Sequence, residues 1–196
     1  QPVTWGTNHA QMSSDSAVST FTHVAVYTKS SLAEQTTPAL VTINDTNSTV
    51  SGITFLDDDL DFEELGGTIA WSRVDVQPNG ETSYVVYLAH SSTGANRSLV
   101  SEIPVDKMQA ALDIDFPQDY FTHVVVYTKS DLSEQTTPAA ILITDVASSV
   151  SSVQFMDDDL DSDDLGGFVT WSPPLDLFER VVKYSIYLCC TPNTTS

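Results

Sequence analysis

Basic residues are scarce in this chain of 196 residues. Seven Lys and Arg residues stand against 27 Asp and Glu residues, which gives a formal net charge of −20 at pH 7. Binding to nucleic acid or to an anionic membrane depends on basic side chains that neutralise phosphate charge. The composition therefore excludes a nucleic-acid partner, and it leaves cations, glycans and other protein surfaces as candidates.

Long apolar runs are missing as well. The longest runs are the length of a strand, such as YVVYLA at 84–89, whereas a membrane-spanning helix needs about 20 apolar residues. We therefore expect no membrane insertion. A hydrophobic content of 41% is sufficient for a core, and the length fits one large domain or two of ordinary size.

Cysteine is nearly absent. The two cysteines, Cys189 and Cys190, are adjacent, and neighbouring cysteines cannot form an ordinary unstrained disulfide. Two interpretations stay open at this point. The pair either lies at the end of a strand with one side chain inward and one outward, or it provides a covalent link to another chain.

Catalytic motifs are also missing. The sequence contains no Cys/His cluster, nucleophile elbow or cofactor-binding loop, and these are the patterns that usually mark an active site. His23 and His123 stand beside Val in a predicted strand, where packing is their expected role. We therefore expect a protein that is not an enzyme and that has no organic cofactor.

Sequons for N-glycosylation are frequent for a chain of this length. Four Asn-x-Ser/Thr triplets begin at Asn44, Asn47, Asn96 and Asn193, in expected turns or near a terminus. Such triplets accept glycans on the surface loops of secreted proteins. They indicate an extracellular protein, secreted or on the cell surface, that carries N-linked glycans.

The chain repeats itself at a distance of 100 residues. FTHVAVYTKSSLAEQTTPA at 21–39 returns as FTHVVVYTKSDLSEQTTPA at 121–139. Without any gap, residues 21–75 and 121–175 are identical at 32 of 55 positions. A unit of this length corresponds to a domain, because the repeats of solenoids are much shorter.

The two copies show which face of each strand is apolar. Positions that stay apolar in both copies alternate with positions that vary, as strands with one buried face require. The expected inward positions are Ile53, Phe55, Ile69, Trp71, Tyr84, Val86 and Leu88, with their counterparts 100 residues later. Short strands of this kind favour an antiparallel β-sandwich, to which we add one short helical turn around Asp59–Leu65.

Several motifs resemble a known family. VTWSPP at 169–174 and YSIYL at 184–188 resemble strands B and C of a fibronectin type III-like domain. FTHVVVYT at 121–128 and AAILITD at 139–145 resemble its strands F and G. The pattern DxDLDxxxLGGxxxW…YxxYL…THVxVYTKSxLxEQTTP also resembles tandem repeats of large protist surface proteins. The resemblance covers nearly the whole chain, and it implies an all-β fold of tandem fibronectin III-like or immunoglobulin-like sandwiches without catalytic residues.

This register leaves both ends of the chain incomplete. Residues 48–147 correspond to one complete sandwich with strands A to G. Residues 1–47 correspond to the back half, strands E, F and G, and residues 148–196 to the front half, strands A, B and C. Joined tail to head, the halves make a domain four residues shorter than the intact copy. Each half alone exposes an apolar face and unpaired strand edges.

Three arrangements can cover these faces. The tail folds back onto its own head, or it completes the head of the next molecule and so forms a filament, or the chain is a piece of a longer tandem array. We expect self-association into an extracellular filament that is assembled head to tail. The predicted assembly interface is Val24, Val26, Val41, Ile43, Val169, Trp171, Tyr184, Ile186 and Leu188.

An acidic run follows the first strand of each copy. Its candidate metal ligands are Asp57, Asp59, Asp61, Asp157, Asp159 and Asp161, because clustered carboxylates can bind a hard cation such as calcium. The run does not fit an EF-hand, since Phe62 stands where that loop needs Gly and Thr68 where it needs Glu. Two interpretations therefore remain, a calcium site and a solvated turn that caps the strands.

The loop after strand F offers an alternative function. Lys29 and Lys129 open this loop in the two copies, and Glu-Gln-Thr-Thr-Pro closes it. Through these loops or the acidic turns, the chain could be an adhesin or a receptor ectodomain that binds a glycan or a protein. We expect both lysines to pair with carboxylates and so set orientation, because an exposed ion pair contributes only about 0–1 kcal/mol.

Overall fold

The computed structural model describes residues 2–73, 80–145, 147–175 and 178–190, and nearly all of its regular structure is β. Every strand pair is antiparallel, so the all-β prediction is confirmed. No helix in these ranges is long and apolar enough to span a membrane. The elements are β1 (His23–Val26), β2 (Ala39–Thr42), β3 (Val50–Asp57), β4 (Glu64–Arg73), β5 (Glu81–Ala89), β6 (Ser98–Pro104), β7 (Gln109–Pro117), β8 (His123–Ser130), β9 (Ala139–Leu142), β10 (Ser151–Asp157), β11 (Gly167–Ser172) and the 3₁₀ helix Phe178–Arg180.

Strands β3 to β9 form two sheets that enclose one core. The first sheet has the order β3-β4-β7 and the second the order β6-β5-β8-β9. Side chains of both sheets meet in one hydrophobic cluster, an arrangement compatible with an immunoglobulin-like β-sandwich. We call these seven strands the central sandwich. Its largest fully buried side chains that belong to this cluster are Leu65, Ile69, Tyr84, Val86, Leu88, Val124 and Val126.

The alternation expected from the sequence is present in the central sandwich. In β4, Ile69 and Trp71 are 0% and 5% exposed, whereas Thr68 and Ser72 beside them are exposed. Trp71 packs edge-on against Tyr84 of the opposite sheet, with ring centroids 5.4 Å apart. Full burial of a side chain such as Ile69 stabilises the fold by about 1.5–3 kcal/mol. Alternation thus identifies the core face of this strand.

The connection from β3 to β4 is an irregular acidic turn, so the predicted helical turn at Asp59–Leu65 is wrong. Glu63 and Gly67 have φ angles of 65° and 133°, which a right-handed helix does not allow. A Cβ atom on Gly67 would lie 2.5 Å from the carbonyl oxygen of Leu56, so only glycine fits there. Strand β4 begins at Glu64, directly after this turn.

The chain on either side of the central sandwich forms one small sheet each. We call residues 2–47 the head segment and residues 148–190, as far as described, the tail segment. The head pairs β1 with β2 in the register of β8 and β9. The tail pairs β10 with β11 in the register of β3 and β4, including its bulge. In these two small sheets, the strand pairing therefore matches that of the residues 100 positions away.

Two of the strands expected at the ends do not form. Residues 184–188 were predicted to be a strand, and so was a strand E before residue 21, but neither region contains one. In the central sandwich, β5 pairs with β8, and β7 pairs with β4. The counterparts of those partners lie in the opposite segment of the chain. Strands have thus formed only where their partner belongs to the same segment.

The head and tail segments are attached at opposite ends of the central sandwich. Where the chain enters β3, the Gln135 amide donates to Thr49 Oγ1 at 2.9 Å. Where it leaves the sandwich, the Glu63 N–H donates to Asp145 Oδ2 at 2.9 Å, and the Ser148 N–H donates to the Leu60 carbonyl at 3.0 Å. The eight residues of β3 separate these ends, a length of about 26 Å at 3.3 Å per residue.

Candidate assembly surfaces and the acidic turn

The head segment exposes an apolar face whose equivalent is buried in the central sandwich. Val26 is 64% exposed, but its counterpart Val126 is 0% exposed. Val24 and Val41 are also exposed, and Ile43 is half-buried. The same pattern of side chains thus forms a core at one place and a surface at another, because no second sheet within the described ranges covers the head.

The tail segment shows the same contrast. Ile186 and Leu188 are 58% and 90% exposed, whereas Val86 and Leu88 are fully buried. Hydrophobic surface of this kind is costly in water, and contiguous apolar patches usually mark an interaction site. The predicted interface residues of both segments are therefore accessible to a partner.

One core contact already exists within the tail. The rings of Trp171 and Tyr184 lie 5.2 Å apart at an interplanar angle of 65°, which reproduces the edge-on contact of Trp71 and Tyr84. Val169 beside them is half-buried. These two side chains of the tail thus already have the arrangement seen in the core of the central sandwich. Binding of a partner would therefore cost less side-chain conformational entropy.

Open strand edges accompany these apolar faces. In the central sandwich, β8 lies between β5 and β9, and β4 lies between β3 and β7. Among the described residues, β1 pairs only with β2, and β11 only with β10. An open edge presents a row of backbone donors and acceptors, and such a row readily pairs with another strand.

The acidic turn of the central sandwich brings four carboxylates together. Oxygens of Asp59, Asp61, Glu64 and Asp115 all lie within 4.8 Å of one another. Desolvation and the charges of the other three residues raise the pKa of Glu64 above its ordinary value. Oxygen ligands at this spacing have the chemistry that a hard cation prefers.

Asp57 does not belong to this group, although the sequence placed it there. It is 3% exposed, and its Oδ1 accepts the N–H groups of Gly66 at 3.0 Å and Asp59 at 3.3 Å. Burial raises the pKa of Asp57, the two hydrogen bonds oppose that shift, and the charge of Asp145 adds to it. Asp57 therefore stabilises the turn through hydrogen bonds to its backbone.

The tail repeats the turn without the cluster. Asp157 Oδ1 accepts the N–H groups of Gly166 at 3.0 Å and Asp159 at 3.1 Å, and Asp159 Oδ1 accepts the Asp161 N–H at 3.1 Å. No convergence of carboxylates is found here among the described residues. The counterpart of Asp115 is residue 15, which belongs to the head segment.

Sequence reasoning found Asp59 and Asp61 but missed two members of the cluster. Glu64 lies in the same acidic run, so its signal was present. Asp115 carried no such signal, because the pairing of β4 with β7 brings it to the turn from more than 50 residues away. Its backbone N–H also donates to Asp59 Oδ2 at 2.8 Å.

Three of the four sequon asparagines can be placed. Asn44, Asn47 and Asn96 are exposed, as a glycan acceptor must be. The hydroxyl of Thr49 in the second sequon donates to Asn47 Oδ1 at 2.7 Å. Asn193 lies outside the described residues.

The remaining single residues have local contacts. Lys129 forms the expected ion pair, with Glu102 at 3.0 Å, whereas Lys29 has none with the residues that the structure describes. His123 exchanges a hydrogen bond of 2.8 Å with the neighbouring Thr122, and His23 makes the same contact with the threonine before it.

Both cysteines are free and exposed, so the structure contains no disulfide between Cys189 and Cys190. Both lie beyond the last strand of the tail segment. Their role stays a prediction, either as ordinary chain-end residues or as a link to another molecule.

A cluster on the outer face of the second sheet was not expected. The Arg97 guanidinium lies 4.3 Å and 4.2 Å from the ring centroids of Tyr87 and Tyr127. It also pairs with Glu134 at 2.7 Å, which in turn accepts the Tyr87 hydroxyl at 2.8 Å. In the sequence, Glu134 stands only in the loop motif, 37 residues from Arg97. The contact between these two side chains depends on the pairing of the strands and cannot be predicted from the motif.

Comparison with protein-family models, with curated proteins and with solved structures finds no match to this chain. What can be said of its relation to other proteins therefore rests on its architecture of antiparallel sheets.

Proposed function

We propose that this chain is a structural subunit of an extracellular, glycosylated filament built from fibronectin III-like domains. In this proposal, residues 48–147 form a complete domain, and residues 1–47 and 148–196 are complementary halves of another. The tail of one molecule completes the head of the next. The function is mechanical, without catalysis.

The exposed apolar faces at both ends are the observation that carries this proposal. Val26 and Ile186 are exposed where Val126 and Val86 are buried. Exposure of such faces to water costs free energy, and a partner that covers them removes this cost. The two segments are complementary. The head segment contains the counterparts of β8 and β9, and the tail segment contains the counterparts of β3 and β4.

The attachment points favour completion between molecules over closure within one. The head is held near Gln135 at one end of the central sandwich, and the tail is held near Leu60 at the other. Closure within a chain would have to span the whole sandwich while short linkers stay bound at both ends. A contact between unlike surfaces of successive molecules gives a filament when the rotation between them does not close a ring, and we propose the open form.

Charge and glycans fit an extracellular filament. A net charge of −20 makes neighbouring filaments repel each other in water. The asparagines of three sequons are exposed, as the N-linked glycans of an extracellular protein require.

Electron microscopy, together with mass in solution, tests this proposal. We expect long fibres with a regular axial repeat from the wild-type chain, and Val169→Asp should abolish them. Phe168→Asp is the matched control, since residue 168 is 81% exposed and the counterpart of Val169, Ile69, is fully buried. Discrete particles of 21.3 kDa from the wild-type chain would overturn the filament.

The alternative is an adhesin or receptor ectodomain. The convergence of Asp59, Asp61, Glu64 and Asp115 is the observation in its favour, because such a group can bind a cation or a basic partner. The loops after β8 and β1 offer less, since Ser130 and Ser30 hydrogen-bond to the backbone of their own loops. In the loop after β8, Lys129 and Glu134 are already paired with Glu102 and Arg97. A monomer that a glycan or protein ligand stabilises against heat would support this alternative.

A further inference from the structure

We propose that residues 9–17 of the head segment are a latent strand that pairs with β11 of a tail segment, in the register of β7 on β4. This inference rests on the proposed function and deepens it. It gives the joint between molecules two hydrogen-bonded ladders, one in each sheet. The partner is a second copy of this chain.

The backbone before residue 21 follows the central sandwich even though the sequence does not. HAQMSSDSA at 9–17 and QAALDIDFP at 109–117 share two residues of nine. Nevertheless, the Thr7 N–H donates to the Thr4 carbonyl at 3.1 Å, as the Lys107 N–H does to the Pro104 carbonyl at 3.0 Å. The turn before β7 therefore has an equivalent in the head.

Left-handed residues mark the same correspondence further along. Asp15 and Asp115 have φ angles of 59° and 58°, and Ser19 and Asp119 have φ angles of 48° and 46°. Such angles are uncommon for residues other than glycine. Two matches at an offset of 100 place residues 9–17 in the position of β7.

The tail keeps the glycine that lies close to this strand in the central sandwich. A Cβ atom on Gly66 would lie 3.0 Å from Ile114 Cα, because β7 passes that closely over β4. At Gly166 the nearest atoms belong to Asp159 of the same turn, and no strand of the described chain lies over it. A glycine within a sheet often marks the close approach of another backbone.

The register assigns a role to each side chain. Ile69 lies opposite Ala110, Thr68 opposite Ala111 and Gly67 opposite Leu112. The same pairing places Ala10 opposite Val169, Gln11 opposite Phe168 and Met12 opposite Gly167.

These pairings also match the apolar pattern. Ala110 and Leu112 are 3% and 4% exposed, so Ala10 and Met12 would point into the core of the joint. Met12 is 63% exposed in the head segment. The exchange of Leu for Met conserves volume and is well tolerated in a core.

Disulfide trapping tests this register in the full chain. The variant carries Cys189→Ser and Cys190→Ser, together with Gln11→Cys and Phe168→Cys, whose counterparts are opposite each other and exposed. Mild oxidation should give a ladder of covalent multimers on a non-reducing gel. Thr68→Cys with Ala111→Cys calibrates the yield, because that pair has the same geometry within one domain.

Two further pairs separate the possible results. Ser13→Cys with Phe168→Cys is out of register and should give little product, because disulfides need Cα atoms within about 7 Å. Ala25→Cys with Tyr187→Cys follows the pairing of β8 with β5 and reports on the proposed function alone. Covalent multimers from the cysteines at 25 and 187, but none from those at 11 and 168, would overturn this inference and remain consistent with the proposed filament. No product from either pair, with the calibration pair oxidised, would overturn both.

Discussion

Tyr87 connects the charged groups on the outer face of the central sandwich. Its hydroxyl donates to Glu134, and Arg97 lies over its ring. Burial, followed by the hydrogen bond and the charge of Glu134, raises the pKa of Tyr87 from 10.0 to about 12. Between pH 10 and about 12, the Tyr87 hydroxyl therefore keeps its proton in the folded chain and loses it in the unfolded chain.

This shift predicts a loss of stability in alkali. The contribution of Tyr87 is fully present below pH 10 and disappears as the pH rises through about 12. Its size is below about 3 kcal/mol, since one pKa unit corresponds to about 1.4 kcal/mol and solvent screens the charges around this half-buried side chain. Thermal unfolding between pH 9 and 12 should show a steeper fall for the wild type than for Tyr87→Phe. Tyr187→Phe is the control, because that tyrosine is 81% exposed, and an equal change in both variants would contradict the prediction.

The carboxylate cluster predicts that a neutral side chain stabilises the turn. The pKa of Glu64 is raised, so its ionised form is penalised in the fold. The stability it contributes is present below the usual pKa of 4.5 and is lost as the pH rises above it. At pH 7 in a chelator, we expect Glu64→Gln to unfold at a slightly higher temperature than the wild type. Asp164→Asn, at the counterpart position without a cluster, should change little.

Calcium decides between the two interpretations of this cluster. If calcium binds there, millimolar calcium raises the unfolding temperature of the wild type, because a ligand that binds only the folded state stabilises it. Glu64→Gln should then lose that gain. Equal unfolding temperatures in calcium and in chelator would leave the acidic turn as a solvated cap.

At the scale of single elements, a strand in this chain depends on its partner. Residues 184–188 carry the alternation of β5 but form no strand, because the counterpart of β8 lies in the head segment. An internal strand gains little without neighbours on both sides. The missing strands are therefore a consequence of where their partners lie in the chain.

Deletion of residues 184–196 should abolish fibre growth. This deletion removes the segment that would pair with β1, together with Tyr184, Ile186 and Leu188, whose counterparts are almost fully buried. Deletion of residues 191–196 alone is the control and should leave fibres intact. Sedimentation and electron microscopy measure the result, and unchanged fibres from the longer deletion would show that this segment is not part of the joint.

The sequence predicts some elements better than others for a physical reason. Alternation identified the core face of β4, since burial on one face leaves a period of two in the residues themselves. In β5 it identified Tyr84, Val86 and Leu88 but not the burial of Val85 and Ala89 on the other face. Residues 9–17 lack this alternation, so strand E was expected there only from the repeat, and the structure shows no strand in this region. The turn after β3 was taken for a helix because its left-handed residues, Glu63 and Gly67, cannot be recognised from composition. Asp115 escaped notice since only sheet pairing brings it to the turn.

At the scale of the whole molecule, the proposed filament depends on the two unlike ends of the central sandwich. The head is attached at one end of the central sandwich and the tail at the other. In the proposed filament each molecule uses two different surfaces, and a chain damaged at one of them should still bind through the other. This property distinguishes a head-to-tail filament from a closed monomer more directly than any single variant.

A mixing experiment makes use of this property. Val26→Asp damages the head, since the counterpart of Val26 is fully buried and a charge buried without a partner is strongly destabilising. Val169→Asp damages the tail in the same way. Each variant alone should stay at the monomer mass of 21.3 kDa, because neither offers both surfaces. An equimolar mixture should give a dimer of twice that mass and nothing larger.

A dimer would form only if the tail of one molecule completes the head of another. The intact tail of the Val26→Asp chain meets the intact head of the Val169→Asp chain, and the two damaged surfaces end the growth. Leu40→Asp serves as the control for the head, because Leu40 is 61% exposed, close to the 64% of Val26, and the counterpart of Leu40 is exposed as well. That variant should still form fibres. If the mixture stayed monomeric in sedimentation, each chain would have to complete its own halves, and no filament could form through this joint.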